Sequence, residues 1–236
     1  MSGLEYNFPL EERFKVAENT MAFVFKSSDF TFRAGQYLEV ILENMLYPDE
    51  RGNERHFSIA SSPGDKNILM ITTRVGGERP LSGFKRTLTE ISLGSLVKIK
   101  GPRGNFTLHE NQAKKAVFLA GGIGITPCRS ILKDAAERKL LHQMTLIYSN
   151  RNPGSAAFLE DLKKWERENP NFRLFAPMTD TEGYVDADYI KNKIGDLSDT
   201  IFYVVGPPAM VQGLTKVLEE IGVSRDEMRF EEFTGY

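Results

Sequence analysis

Cysteine is nearly absent: Cys128 is the one thiol in 236 residues. That excludes an intrachain disulfide, a cysteine-ligated iron–sulfur cluster and a structural zinc site of the multi-cysteine kind, so any redox chemistry here needs another cofactor. An excess of one charge is missing too. Lys and Arg number 30 against 32 Asp and Glu, a formal net charge of -2, and the signs are interspersed, which leaves no electrostatic footprint for a nucleic acid. No apolar run approaches bilayer length, and Met1 to Val16 has no signal-peptide core, so a soluble, cytoplasmic protein without a membrane span is expected. Histidine is sparse. His56, His109 and His142 form no acid/base pair and read as structural or solvent-facing, and no metal site is expected.

What is present changes character halfway. Up to about Leu108, short apolar or alternating runs (Ala22 to Phe25, Tyr37 to Leu42, Ile68 to Thr73, Leu96 to Ile99) are separated by turn signals such as Ser62-Pro63-Gly64-Asp65 and Gly101-Pro102-Arg103-Gly104, the spacing of an antiparallel barrel or sandwich. Ser82 to Leu93 interrupts it, because Phe84, Leu88 and Ile91 share a helical face. From Lys114 strands and helices alternate: Ala116 to Ala120, Cys128 to Lys139, Met144 to Ser149, Ala156 to Glu168, Phe172 to Ala176, Ala187 to Ile194, Ile201 to Val205 and Ala209 to Ile221. That is a parallel sheet covered by helices. The expected domains are residues 1–109, all-β, and 114–236, α/β, with no repeat or low-complexity segment.

At Ala120 the first strand of the second half empties into GGIGITP, Gly121 to Pro127. Bare backbone followed by Thr-Pro reads as a tight turn into a helix N-terminus, whose unpaired N–H groups and positive dipole end attract phosphate. Glycine turns also serve packing alone, and the G-x-G-x-x-G fingerprint is not met, so the turn by itself leaves both readings open. Ligands of parallel sheets lie beyond the C-terminal strand ends. Tyr148-Ser149-Asn150-Arg151 and Val205-Gly206-Pro207-Pro208 end two other strands at that edge, and the convergence favours a nucleotide pyrophosphate site.

Arg55-His56-Phe57-Ser58, Ser82-Gly83-Phe84-Lys85-Arg86, GPRGNF at 101–106, GGIGITP, Ser149-Asn150-Arg151 and Val205-Gly206-Pro207 together resemble, in order, the motifs of the ferredoxin–NADP reductase superfamily. The resemblance covers nearly the whole chain. It implies an antiparallel Greek-key β-barrel that binds FAD, then a Rossmann-like α/β domain that binds NADP or NAD, with a hydride passing from the reduced nicotinamide nucleotide to flavin N5. Electrons then go to a separate acceptor such as a ferredoxin, flavodoxin or oxygenase component. The alternatives are a reductase of free flavin, ferric chelates or quinones, and an electron-transfer subunit active only inside a larger complex.

The resemblance also implies roles for individual residues. Arg55 takes the place of the arginine of the family's Arg-x-Tyr-Ser and pairs with a flavin phosphate, a geometry that suits a guanidinium fork. His56 falls among the flavin contacts. Phe57 replaces the usual Tyr, keeping the flat contact without the hydroxyl, and Ser58 reaches flavin N5. Ser82 supplies a second phosphate contact at a helix start, which points to FAD rather than FMN; Lys85 and Arg86 either help or are solvated. Gly122, Gly124, Thr126 and Pro127 form the pyrophosphate turn. Ser149 and Arg151 meet the adenosine ribose, where a hydroxyl and a guanidinium suit the extra phosphate of NADP. Gly206 and Pro207 match Cys-Gly-Pro, with Val205 in the thiol's place, and Cys128 reads as a packed small residue. At the C-terminus a carboxylate stands two residues before a ring that stacks on the flavin, which selects Glu231 and Phe233, with Tyr236 as the competing ring.

Overall fold

The computed structural model describes residues 4–77 and 80–233. Its first half is a six-stranded antiparallel sheet built from β1 (Glu5–Ala17), β2 (Thr20–Lys26), β3 (Tyr37–Ile41), β4 (Glu54–Ser58), β5 (Ile68–Arg74) and β6 (Leu96–Arg103), in the order β4-β3-β6-β1-β2-β5. An isolated bridge between Ile59, just past β4, and Ile71 draws the two edges toward each other, curling the sheet into an open barrel. Inside lie Phe8, Leu10, Phe23, Phe25, Leu38, Ile59 and Ile71. The helix α1 (Gly83–Glu90) closes one end with Phe84 and Leu88. It is capped by Ser82, whose hydroxyl oxygen accepts from the Lys85 N–H.

The second half is a five-stranded parallel sheet. Its elements are β7 (Lys115–Gly121), α2 (Ile125–Glu137), β8 (Met144–Ser149), α3 (Leu159–Glu168), β9 (Phe172–Phe175), α4 (Thr179–Glu182), α5 (Ala187–Ile194), β10 (Thr200–Gly206), α6 (Pro208–Glu220) and β11 (Met228–Glu232). The strand order β11-β10-β7-β8-β9 reverses direction at β7, so the crevice for a ligand opens between the C-terminal ends of β7 and β10. Both central strands are buried on two faces and read as unbroken apolar runs. Two helix starts differ from expectation. α2 begins at Ile125 because a 3-10 turn over Gly122–Gly124 leads straight into it. α3 begins only at Leu159, since Phe158 takes a left-handed φ of 60° that no helix continues through.

The halves meet along α2. Arg129 Nη1 donates to the Ala60 carbonyl at 2.6 Å and Ser130 Oγ to the Ser61 carbonyl at 2.6 Å, while Lys133 pairs with Asp65. The apolar cluster beneath them joins Ala22, Met70 and Phe106 of the barrel half to Ile131 and Leu132 of α2 and Tyr203 of β10. No helix among the described residues is long and apolar enough to cross a membrane.

Candidate functional site

The last strand brings the halves together chemically. β11 runs parallel to β10 with Glu231 opposite Val205, and Phe233 N–H donates to the Gly206 carbonyl at 2.9 Å. From that position Glu231 Oε1 accepts a 2.6 Å hydrogen bond from Ser58 Oγ at the end of β4. Around this bond opens a cleft of about 430 Å³, lined by Tyr37, Phe57, Phe106 and Phe233 together with Ser58, Thr72, Thr126 and Glu231. An aromatic lining suits a flat ring system.

Two buried atoms of the lining have no hydrogen-bond partner among the described residues, Thr72 Oγ1 and Glu231 Oε2. Buried polar groups are ordinarily satisfied, so a hydroxyl and a carboxylate oxygen without partners among the residues lining an aromatic slot are compatible with a polar planar ligand there. Burial pushes the Glu231 carboxyl up to about 7, against a smaller downward pull from the Ser58 hydrogen bond. Glu231 therefore exchanges its proton near neutrality. Burial, and then Glu231, push the Cys128 thiol well up, so it stays protonated as a packed residue.

Of the other expected flavin contacts, Phe57 is 7 % exposed and stacks on Phe84 with centroids 6.0 Å apart. His56 is exposed and lies 3.5 Å from Glu39. These two with Glu54 bring three possible metal-ligand atoms within 4.8 Å, but Glu39 already pairs with Arg103 at 3.1 Å. Arg55 sits over the Phe84 ring and donates through Nη2 to Asp49 Oδ1 at 2.7 Å. Arg55 and Ser82 are thus neighbours at the start of α1, away from the cleft lining. Burial, then Arg74, Arg51 and Arg55, push nearby Lys85 down to about 8, the mark of a crowded cationic patch.

At the crevice the glycines serve packing and access together. A Cβ on Gly124 would meet the Val205 carbonyl oxygen at 2.6 Å, and one on Gly121 would overlap Met210 Sδ. Gly122 takes φ +53°, and Arg74 from the end of β5 lies over it. Thr126 Oγ1 donates to the Ile123 carbonyl and its other side faces the cleft. Pro127 is buried in the first turn of α2. Ser149 is half-buried beside Gly121, Arg151 is exposed, and Gly206 with exposed Pro207 forms the facing lip. The structure therefore collects Ser58, His56, Phe57, Thr126, Glu231 and Phe233 at the cleft, and Gly122, Gly124, Ser149, Gly206 and Pro207 at the crevice mouth. Tyr236 lies outside the described residues. Asp49, Thr72 and Arg74 go unread in the sequence; only the Val75-Gly76-Gly77 that follows Arg74 hints at a turn poised over a ligand.

The sequence profile of the oxidoreductase FAD-binding domain matches residues 7–108 and that of the oxidoreductase NAD-binding domain matches residues 118–216. Reductase component 2 of terephthalate 1,2-dioxygenase from Comamonas sp. is 29% identical over 211 residues, which cover 86% of this chain and 59% of that protein. One component of the Na(+)-translocating NADH-quinone reductase of Methylococcus capsulatus is 30% identical over 202 residues, 77% of this chain and 49% of that protein. The chain thus spans about half to three fifths of the length of these curated relatives. Among solved structures, a ferredoxin NADP+ reductase of Neisseria gonorrhoeae with bound FAD and NADP superposes with a TM-score of 0.79 at 18% identity, covering 97% of this chain and 98% of that one. The Amycolatopsis cytochrome P450 reductase GcoB gives 0.82 at 22% identity, covering 100% and 72%.

Proposed function

Because the chain belongs to the oxidoreductases that join an FAD-binding domain to an NAD-binding domain, we propose that it is an NAD(P)H-dependent flavoprotein reductase delivering electrons to a separate acceptor. The observation that carries this is the Ser58–Glu231 hydrogen bond, which ties the end of a barrel strand to the end of a sheet strand within an aromatic-lined cleft. Bound there, FAD would supply the two-electron chemistry with the nicotinamide and the release of electrons one at a time.

The protein's own part is placement and proton handling. Tyr37, on the same face of its strand pair as Ser58, and Phe233 line the cleft where a nicotinamide ring must enter, while Phe57 packs behind them into the barrel core. Ser58 and Thr72 offer hydroxyls to ring heteroatoms. Glu231 holds a proton at Oε1 or Oε2 near neutral pH and orients Ser58. Gly122 and Gly124 keep the N-terminus of α2 bare for a pyrophosphate. The dioxygenase reductase relative favours a protein acceptor, whereas the quinone reductase component fits the second reading, an electron-transfer subunit within a larger complex.

The purified protein is expected to be yellow, and heating is expected to release FAD. A colourless protein that no flavin reconstitutes overturns the reading. Within it, Arg151→Ala should raise the KM for NADPH by about tenfold and leave that for NADH unchanged, since a charge-assisted contact to the extra phosphate is worth about 1.5–3 kcal/mol. Steady-state kinetics with a dye acceptor decides, and an equal change for both nucleotides rejects the role.

A further inference from the structure

The anion site expected at the start of α1 already contains an anion, and the chain supplies it. Asp49 sits on the loop between β3 and β4 with its side chain 5% exposed. Its carboxylate accepts from Arg55 Nη2 at 2.7 Å, from the Phe84 N–H at 2.8 Å and from the Arg51 N–H at 3.0 Å, and it also meets the Ser82 hydroxyl. Arg55 and Ser82 are the two residues that the resemblance assigns to a flavin phosphate. A carboxylate and a phosphate ask for the same donors: a guanidinium edge, a hydroxyl and a first-turn N–H. Both cannot hold them at once.

The surroundings favour exchange over exclusion. Arg51, Arg55, Arg74 and Lys85 lie close enough for the arginines to act on the lysine, so one carboxylate leaves a positive excess that a diphosphate would meet better. The near part of the loop is tied to α1, where the Leu46 and Tyr47 N–H groups donate to Thr87 Oγ1 and the Tyr47 hydroxyl donates to Glu90. The stretch beyond Pro48 is better suited to move: Glu50, Arg51, Gly52 and Asn53 are exposed, and Gly52, at φ +74°, has nothing within 4 Å of where a Cβ would stand. We propose that Asp49 is the resident anion of the flavin-phosphate site, holding Arg55 and the α1 N-terminus in the flavin-free chain and swinging out with residues 49–53 when a flavin phosphate takes its donors. The inference rests on the flavin reading above. It makes the phosphate bind against an internal competitor, so the flavin is held exchangeably.

The test measures binding of FAD, FMN and riboflavin to flavin-free protein by fluorescence quenching, for the wild type and Asp49→Asn. The variant keeps the side chain's shape and removes its charge. FAD and FMN are expected to bind about tenfold tighter to it, the equivalent of one charge-assisted contact, and riboflavin about equally to both. Hydrogen exchange on the wild type gives an independent readout should the variant fold poorly: residues 49–53 should lose protection on adding FMN while the first turn of α1 gains it. Unchanged or weaker FAD and FMN binding to Asp49→Asn overturns the proposal and makes Asp49 a positioning partner of Arg55, as does added protection of residues 49–53. Absence of binding by all three flavins to both chains overturns the flavin reading itself.

Discussion

Gly124→Ala is expected to lower the thermal midpoint by roughly 6–12 °C and to abolish oxidation of the reduced nicotinamide nucleotide. The backbone at Gly124 is ordinary right-handed helix, φ -58° and ψ -9°, so alanine meets no conformational penalty there. The obstacle is what its Cβ would touch. The Val205 carbonyl oxygen at 2.6 Å, the Val205 carbonyl carbon at 2.9 Å and the Gly206 Cα at 3.1 Å are all backbone of the central strand β10. None of them can rotate away, so α2 must slide off β10, an overpacking cost of about 3 kcal/mol. The slide also opens the crevice that Gly122 and Gly206 line. Gly122→Ala is the control. Its Cβ would meet only Arg74 Nη2, the end of a flexible side chain, although φ +53° adds strain of about 1 kcal/mol. A Gly124→Ala midpoint within about 2 °C of wild type by scanning fluorimetry would sink the packing account.

Glu231→Gln is expected to stabilise the flavin-free protein above neutral pH and to slow turnover by about 100-fold. Burial holds the Glu231 carboxyl near 7 in the folded chain, against 4.5 for an ordinary glutamate. The folded state therefore binds the proton more tightly than the unfolded state. Its contribution is fully present below pH 4.5 and is lost as pH rises through about 7. Glutamine stays neutral throughout. Wild type and variant should match near pH 4.5 in urea unfolding and diverge as pH rises, with the variant ahead by about 3 kcal/mol at pH 8. Turnover should meanwhile lose its inflection near neutrality, because glutamine can still accept from Ser58 but cannot give or take a proton. A variant no more stable than wild type at pH 8 would mean that the carboxylate is not desolvated in the fold.

The α/β half is legible in the sequence because its signals are local. Both central strands are unbroken apolar runs, and Ala187–Ile194 falls where the spacing predicts a helix, with Asp186 capping it through the Tyr189 N–H. The barrel reads less well. β1 goes unread because bulges at Leu10/Glu12 and Lys15/Ala17 break its two-residue period, and Glu11, Glu12, Arg13 and Lys15 give it the look of a charged turn. In the site, the motifs lead to Ser58, Glu231, Phe233 and the glycine turn. They do not lead to Thr72 or Asp49, whose parts depend on where a strand face and a loop finish in space. GGIGITP, met as bare backbone for a ligand, is bare also because Val205 and Met210 press on it.

The apolar cluster running from Met70 and Phe106 to Ile131, Leu132 and Tyr203 bears on how chains of this kind can be recombined. Two sequence profiles divide the chain near residue 110, and a gene splice there would look clean on paper. The side chains do not divide there. A β-barrel taken from a relative would have to present a carbonyl to Arg129, a second to Ser130 and an acid to Lys133, and its apolar surface would have to fit the existing face of α2. Exchange between lineages is therefore constrained less at the linker than on a helix some twenty residues beyond it, since α2 stays with the parallel sheet while its outer face is fitted to the barrel.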